Sequence, residues 1–300
     1  MKNLLTVMSF ITLLLAGAQA QSAPLTGTVK IDGSSTVFPI TEAIAEEYRT
    51  AQPKVRVNIG VSGTGGGFKK FTVGEIDIND ASRRIKDKEK IKSKEHGIKY
   101  MEIPVAYDGL TVVIHKKNTW AKDMTIAELK KIWDKDSKVK TWADVRKGWP
   151  NRKIKLYGPG TDSGTFDYFT KVINGKSGRS RSGYTKSEDD NVLVKGVSGD
   201  QDAMGYFGYA YYKENKSILQ SVKIAGVEPT QKTINNGSYK PLSRAIYIYV
   251  SDKAYKKAHV KDFVHFYLKN AAGLVSEVGY VALPAKKYSD SIKSLKKLVK

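Results

Sequence analysis

The chain has 300 residues, a formal charge of +21, no cysteine and four histidines. The lack of cysteine excludes disulfide bonds and a lipid-modified N-terminal cysteine, and the scattered histidines give no reason to expect a metal site. So large a positive charge often indicates nucleic-acid binding, but it would also attract small anions to a cleft.

Residues 1–20 have the composition of a cleavable secretory signal. Lys2 precedes an apolar run from Leu4 to Ala16, and Ala18-Gln19-Ala20 has the small–any–small form of a signal-peptidase site. The run is short for a bilayer span, and no second such run follows. We therefore expect an exported, soluble protein that is free in the periplasm and is not a lipoprotein.

Two strand–turn–helix units come next. Gly27 to Ile31 predicts a strand, followed by the turn Gly33-Ser34-Ser35-Thr36 and a helix with Pro39 near its first position. Val55 to Val61 alternates as a half-buried strand does, and Ser62-Gly63-Thr64-Gly65-Gly66-Gly67 opens the following helix. The first amides of a helix lack internal partners and carry positive potential, so both helix starts are suited to holding an anion.

The next elements are a strand, a charged helix and a longer apolar segment. The strand, residues 76–81, runs into Asp80-Ala81-Ser82-Arg83, and residues 86–95 predict a solvated helix. Met101 to Ile114 contains two apolar runs joined by Tyr107-Asp108-Gly109. Further on, Thr125 and Glu128 have the spacing of a helix capping box.

A third anion-ready helix start follows the turn Gly158-Pro159-Gly160. The sequence Asp162-Ser163-Gly164-Thr165 provides an N-cap, Asp162 or Ser163, and Phe166, Phe169 and Ile173 then recur at helical spacing. Many Ser-Gly-Thr helix starts only cap a helix. Here, however, the chain contains two other starts of the same kind.

The remainder of the chain continues the alternation of strands and helices. Residues 174–187 predict a mobile basic loop, and 205–209 and 245–250 predict strands. Residues 260–268 and 288–299 predict helices. Such alternation indicates an α/β fold, in which ligands bind beyond the carboxyl ends of the strands. All three helix starts, and Asp80 with Arg83, lie at such ends.

As an ordered set, these motifs resemble the periplasmic phosphate-binding proteins of phosphate ABC transporters. The motifs are Gly33-Ser34-Ser35-Thr36-Val37-Phe38-Pro39, Ser62-Gly63-Thr64-Gly65-Gly66-Gly67, Asp80-Ala81-Ser82-Arg83, Asp162-Ser163-Gly164-Thr165, Gly205-Tyr206-Phe207-Gly208-Tyr209 and Gly279-Tyr280-Val281-Ala282-Leu283-Pro284. The resemblance implies an α/β, two-lobed periplasmic-binding-protein fold, class II-like, with two hinge crossovers near 103–108 and 241–244. The implied division is a signal peptide at 1–20, a discontinuous lobe 1 at 25–104 plus 244–300, and lobe 2 at 105–243.

The same resemblance implies a function. The protein would bind inorganic phosphate tightly in the periplasm and deliver it to the permease and ATPase subunits of an ABC importer. It would be a monomer, would meet the inner membrane only through the permease, and would bind no nucleic acid. It would be a binding protein and not an enzyme, without catalytic residues, metal or cofactor.

The resemblance also assigns the phosphate-binding residues. Hydroxyls and amides would come from both lobes, at Ser35, Thr36, Ser62, Ser163, Gly164 and Thr165. Arg83 would be the cation, since a guanidinium can donate two parallel hydrogen bonds to phosphate oxygens. Asp80 would accept the proton of a protonated phosphate, and it would repel sulfate, which carries no proton at neutral pH.

Two departures from the family pattern leave the charges in this site open. Many members carry an arginine shortly before Ser-Gly-Thr, but residues 157–162 contain none. Many have an acid directly after Ala-Ser, where this chain has Arg83. Asp80 and Arg83 could instead be a turn residue and a surface cation, and Ser62 could simply cap its helix.

Other functions are also open. Sulfate, molybdate or tungstate could be the anion of the same fold, and the charge is compatible with a basic surface or adhesion protein. Asp162-Ser163-Gly164-Thr165 also matches the signature of aspartic peptidases. That chemistry needs two carboxylates sharing a proton, and the chain has no second copy of the motif.

Overall fold

The computed structural model describes residues 24–298, so the predicted secretory segment lies outside the described residues. Strands and helices alternate along the chain. In order they are β1 (Gly27–Gly33), α1 (Phe38–Ala51), β2 (Val55–Ile59), α2 (Gly63–Phe71), β3 (Ile78–Ala81), α3 (Asp87–Glu95), β4 (Tyr100–His115), β5 (Asp123–Met124), α4 (Ile126–Trp133), α5 (Trp142–Val145), β6 (Lys155–Pro159), α6 (Gly164–Asn174), β7 (Thr185–Ser187), α7 (Asp190–Ser198), β8 (Ala203–Gly208), α8 (Tyr209–Glu214), β9 (Leu219–Ser221), β10 (Lys223–Ile224), α9 (Gln231–Asn235), β11 (Ser243–Ser251), α10 (Asp252–Tyr255), α11 (Ala258–Glu277), β12 (Val281–Ala282) and α12 (Ala285–Leu295). The predicted α/β alternation is confirmed.

Most of the strands join one continuous sheet. Its order is β2-β1-β3-β11-β4-β8-β6-β7, with β9 and β12 also pairing with β4. The strands at either end of the sheet pair in parallel, whereas β4 and β11 run antiparallel to their neighbours. The carboxyl ends of β1, β2 and β6 therefore lead into helix starts at the middle of the molecule, and the end of β3 leads into Ser82.

Strand β4 links the two halves of this sheet. Its residues from Tyr100 to Gly109 pair with β11, and those from Leu110 to Ile114 pair with β8. The two apolar runs expected on either side of Asp108 are thus one uninterrupted strand. The strand can carry this polar residue in its interior because the Tyr209 amide donates to its carboxylate.

Each half of the sheet has its own hydrophobic core. One core packs β1, β2, β3 and β11 against α1, α11 and α12. The other packs β6, β8 and the second half of β4 against α4, α6 and α7. The periodic apolar faces of the helices explain this arrangement, since each helix must bury its stripe against a sheet face. No helix within residues 24–298 has the length and hydropathy to cross a membrane.

The segment 174–187, which the sequence predicts to be a mobile loop, is held in place by its own arginines. Arg179 donates to Asp134 at 2.7 Å and Arg181 donates to the carbonyl of Val139 at 3.1 Å. Residues 175–184 do form a loop, and its mobility stays a prediction. The partners of both arginines lie more than 40 residues away along the chain, where no local pattern reveals them.

Phe169 of α6 should be a major stabilising residue of the second core. Its fully buried ring stacks on Tyr206, with ring centroids 3.8 Å apart, and meets Trp133 edge-on. We expect Phe169→Ala to lower the free energy of unfolding in urea by about 3–5 kcal/mol, through lost contacts and a cavity. The control is Val192→Ala, whose side chain is 46% exposed and should change stability by less than about 0.5 kcal/mol. A loss at Phe169 as small as that at Val192 would contradict the packing described here.

Candidate functional site

The starts of α1, α2 and α6 converge at the centre of the molecule, where four hydroxyl groups meet. The Thr36 and Thr165 hydroxyls are 3.0 Å apart, and those of Thr64 and Ser82 are 3.1 Å apart. None of these four side chains is more than 1% exposed. We call this set, Thr36, Thr64, Ser82 and Thr165, the hydroxyl cluster. In each pair one hydroxyl donates to the other, so one proton per pair is left to donate to a bound group.

The N-terminus of α6 faces the hydroxyl cluster at very short range. A Cβ atom on Gly164 would lie 2.5 Å from the Ser82 hydroxyl and 2.7 Å from that of Thr64, so only glycine fits. The cap is Ser163, whose side chain accepts hydrogen bonds from Thr165 N and Phe166 N at 3.1 and 3.4 Å. The sequence predicted this cap, and the structure confirms it. The positive end of the helix dipole is therefore directed at the buried hydroxyls.

Arg244 of β11 supplies the cation of this site. Its guanidinium donates to the Gly164 carbonyl at 2.9 Å and to the Thr165 hydroxyl at 2.7 Å. The side chain is buried and lies over the ring of Tyr168. Among the described residues the Arg244 Nε atom has no hydrogen-bond partner, so one donor of the buried cation is unused.

Two buried acids lie beside this arginine. Asp108 Oδ2 is 3.5 Å from Arg244 Nη2, and its other oxygen accepts from the Tyr209 amide. Burial raises the pKa of Asp108 to about 6, although the Arg244 charge opposes the shift. Burial also raises the pKa of Asp190 to about 7, and the charge of Asp108 adds to this effect. The site therefore combines a fixed cation with two carboxyl groups that bind protons readily.

The structure brings five of the predicted binding residues to this centre. They are Ser35, Thr36, Ser163, Gly164 and Thr165. Ser62, a predicted ligand, lies at the N-cap position of α2 without a side-chain cap bond, and its hydroxyl donates to Asp32 at 2.8 Å. Thr64 instead belongs to the hydroxyl cluster. Sequence reasoning assigned no binding role to Thr64, Ser82, Asp108 or Arg244.

The two predicted charged ligands have other neighbours. The guanidinium of Arg83 donates to both oxygens of Glu89 and, at 2.8 Å, to Asp167. The carboxyl of Asp80 lies beside Thr41 and Tyr267, on the α1 and α11 face of the sheet. Burial raises the pKa of Asp80 to about 8. The structure therefore does not bring either charged group to the hydroxyl cluster, and their contact with an anion stays a prediction.

The chemistry of this centre is that of an anion site. Hydroxyl donors, a helix N-terminus and a buried guanidinium lie together in the interior of the protein, where each electrostatic contact is stronger than in water. Within residues 24–298, no group of three or more histidine or acidic side chains is arranged to hold a metal ion.

Comparison with known proteins identifies the family. A PBP superfamily domain matches residues 18–271. Protein SphX of Synechococcus elongatus is 50% identical over 279 residues, which cover 91% of this chain and 81% of that protein. Phosphate-binding protein PstS of Staphylococcus haemolyticus is 41% identical, with 91% of this chain and 86% of that protein covered. This chain belongs to the PstS family.

A solved structure of the same kind supports the fold. A substrate-binding protein from Clostridium perfringens, determined with bound phosphate, is 27% identical to this chain with a TM-score of 0.75. The similarity covers 86% of this chain and all of that one. The two hydrophobic cores seen here are thus those of the two-lobed fold of the PstS family, which confirms the fold predicted from the sequence.

The raised pKa of Asp190 should make the free energy of unfolding depend on pH. In the unfolded chain an aspartate has a pKa of about 3.9. The higher pKa of Asp190 in the folded protein therefore stabilises the folded state at low pH, and this contribution is lost as the pH rises through about 7. We expect Asp190→Asn, which resembles the protonated acid, to give a flatter dependence of unfolding free energy on pH between about 4 and 8. Urea denaturation of the parent and the variant at several pH values measures this dependence.

The neighbouring Asp189 provides the control for this experiment. It is exposed and caps α7 by accepting from Asn191 N, a role that asparagine fills equally well. Asp189→Asn should therefore leave the pH dependence of the parent intact. Parallel curves for the parent and Asp190→Asn would show that Asp190 is ionised in the folded protein.

Proposed function

We propose that this protein binds inorganic phosphate and delivers it to an ABC-type phosphate importer. The observation that carries the proposal is the convergence of Arg244, the hydroxyl cluster and the start of α6 in one buried space. Membership of the PstS family and the phosphate bound in the Clostridium perfringens structure support it.

In this proposal the anion is held mainly by neutral donors. One hydroxyl of the pair Thr36 and Thr165 and one of the pair Thr64 and Ser82 donate to the anion, because the other in each pair donates to its neighbour. Ser35, Ser163 and Gly164 contribute hydroxyl or amide groups. Arg244 is the fixed cation. Its hydrogen bonds to the Gly164 carbonyl and the Thr165 hydroxyl hold the first residues of α6 beside the guanidinium. Ser62, Asp80 and Arg83 remain predicted ligands whose contact with phosphate depends on movements of their side chains.

Selection of phosphate over sulfate requires an acceptor for the phosphate proton. Asp108 is suited to this role because it is buried and lies 3.5 Å from Arg244, whose guanidinium also contacts Thr165 of the hydroxyl cluster. A carboxylate that accepts the proton of phosphate forms a hydrogen bond. The same carboxylate facing fully ionised sulfate would meet an uncompensated negative charge.

We also propose that the chain divides into lobes at the two strands that cross between the cores. Lobe 1 comprises 25–104 plus 244–300 and lobe 2 comprises 105–243. The crossings lie in β4 and at the start of β11, which pair with each other. Because the hydroxyl cluster is fully buried, phosphate can enter only if the lobes separate, and these two strands are the natural hinge.

The remaining parts of the proposal concern the setting of the protein. Residues 1–20 direct export and are removed, leaving a periplasmic protein without a lipid anchor. The protein acts as a monomer, without catalysis, and its partners are the permease and ATPase subunits of the importer. The dense positive charge of the chain favours capture of phosphate dianions from dilute solution.

Phosphate binding is directly testable by calorimetry on the mature protein after removal of endogenous phosphate. We expect a dissociation constant of about 1 µM or tighter, equivalent to about 8 kcal/mol, because several charge-assisted hydrogen bonds form in a dry site. Competition with sulfate, molybdate and tungstate should leave phosphate the preferred anion. Absence of heat at millimolar phosphate, or preference for another oxyanion, would overturn the proposal.

The acid that sets selectivity can be identified by two matched substitutions. Asp108→Asn should narrow the phosphate-over-sulfate ratio by at least about tenfold, or about 1.4 kcal/mol, mainly by admitting sulfate. The sequence-based hypothesis predicts the same effect for Asp80→Asn, whose carboxyl lies against α1 and α11. Competition titrations of both variants decide between them, and an unchanged ratio in both would assign selectivity to another acid, such as Asp190, or to the hydroxyl cluster alone.

A further inference from the structure

Arg83, which the sequence suggested as a phosphate ligand, joins the two proposed lobes instead. Two of its nitrogens donate to Glu89 of the same lobe at 2.7 and 2.8 Å. Its Nε donates to Asp167 of the other lobe at 2.8 Å. All three side chains are about nine-tenths buried. The guanidinium is therefore fully engaged, and one of its three ion-pair bonds crosses the cleft.

Asp167 receives two cations from the opposite lobe. Besides Arg83, the ammonium of Lys86 lies 2.6 Å from the same carboxylate oxygen. The other oxygen accepts from Ser177 Oγ at 2.6 Å, within its own lobe. Asp167 is thus anchored to lobe 2 through Ser177, while both of its charge partners belong to lobe 1.

The position of these residues places them at the seam between the lobes. Asp167 lies in the first turn of α6, three residues after Gly164. A surface cavity of about 450 Å³ lies on one side of the trio and another of about 340 Å³ on the other, and Arg83, Lys86 and Asp167 line both. Separation of the lobes would open this seam and pull Asp167 away from its two cations.

We infer that Asp167, with Arg83 and Lys86, forms a clamp that holds the lobes together and slows phosphate release. The inference rests on the proposed function. Opening the lobes leaves Arg83 paired with Glu89 but breaks both ion pairs of Asp167, so these pairs stabilise the closed form relative to the open one. A buried ion pair is weakened strongly when one partner loses its charge. The clamp should not affect phosphate entry, because entry starts from separated lobes.

The test compares two acids that each form an ion pair across the cleft. Asp167→Asn keeps the size of the side chain and removes the charge from the buried clamp. Asp162→Asn does the same to the pair with Lys69, whose side chains are 38% and 67% exposed and 2.7 Å apart. Exposed ion pairs contribute little, so Asp162→Asn is the matched control.

Stopped-flow measurements with inorganic phosphate give both rate constants. We expect Asp167→Asn to speed release about fivefold or more while the association rate changes less than about twofold. Asp162→Asn should leave both rates within about twofold of the parent. Lys86→Gln, which removes one of the two ion pairs without altering α6, should speed release by a smaller factor and serves if Asp167→Asn fails to fold.

The outcomes separate the clamp from the proposed function and from a purely structural role. An unchanged release rate in both Asp167→Asn and Lys86→Gln would overturn the clamp while leaving phosphate binding intact. A parent protein that binds no phosphate would overturn the proposed function itself. Slower association, together with lower stability of the phosphate-free variant in urea, would show that Asp167 only supports α6, and would also overturn the clamp.

Discussion

The burial of one arginine charge determines the organisation at the centre of this protein. Arg244 can lie in the interior only because the Gly164 carbonyl, the Thr165 hydroxyl and Asp108 surround it. These partners come from a crossing strand and from the start of α6, so satisfying the guanidinium fixes β4, β11 and α6 relative to one another. The same contacts place the N-terminus of α6 directly beside the hydroxyl cluster.

Asp108 and Asp190, the two acids beside Arg244, set the net charge of the site. With pKa values raised to about 6 and about 7, Asp108 and Asp190 both exchange protons close to neutral pH, so the net charge beside Arg244 depends on pH. The raised pKa values of both acids follow mainly from burial. The negative charge of Asp108 raises the pKa of Asp190 further. A site of this kind attracts anions through donors and dipoles more than through net charge.

Local chemistry made much of the molecule predictable from its sequence. Glycine- and serine-rich turns after strands located the starts of α1, α2 and α6, and the Thr125 and Glu128 capping box is present as expected. Arg244 could not be assigned a role, because its partners on α6 lie about 80 residues away along the chain. Arg83 was misleading for a related reason. It directly follows Ser82, yet two of its guanidinium nitrogens donate to Glu89 on the next helix.

Strand geometry accounts for the position of Asp80. Successive side chains of β3 point to opposite faces, so Asp80 lies towards α1 and α11 while Ala81 lies in the small cluster with Phe68 and Phe71. The sequence shows that a strand ends here, but it does not show which face of the sheet borders the cleft. That information belongs to the packing of helices from distant parts of the chain.

Gly164 makes the closed form sensitive to a single methyl group. The space between this glycine and the hydroxyls of Thr64 and Ser82 is smaller than one carbon atom, and in the proposed division these groups belong to opposite lobes. Any side chain at this position would act as a wedge, and its size would set how far the lobes remain apart. The size of the side chain at position 164 therefore controls how far the lobes can close. A substitution there would shift the balance between open and closed forms without altering a charge or removing a hydrogen-bonding side chain.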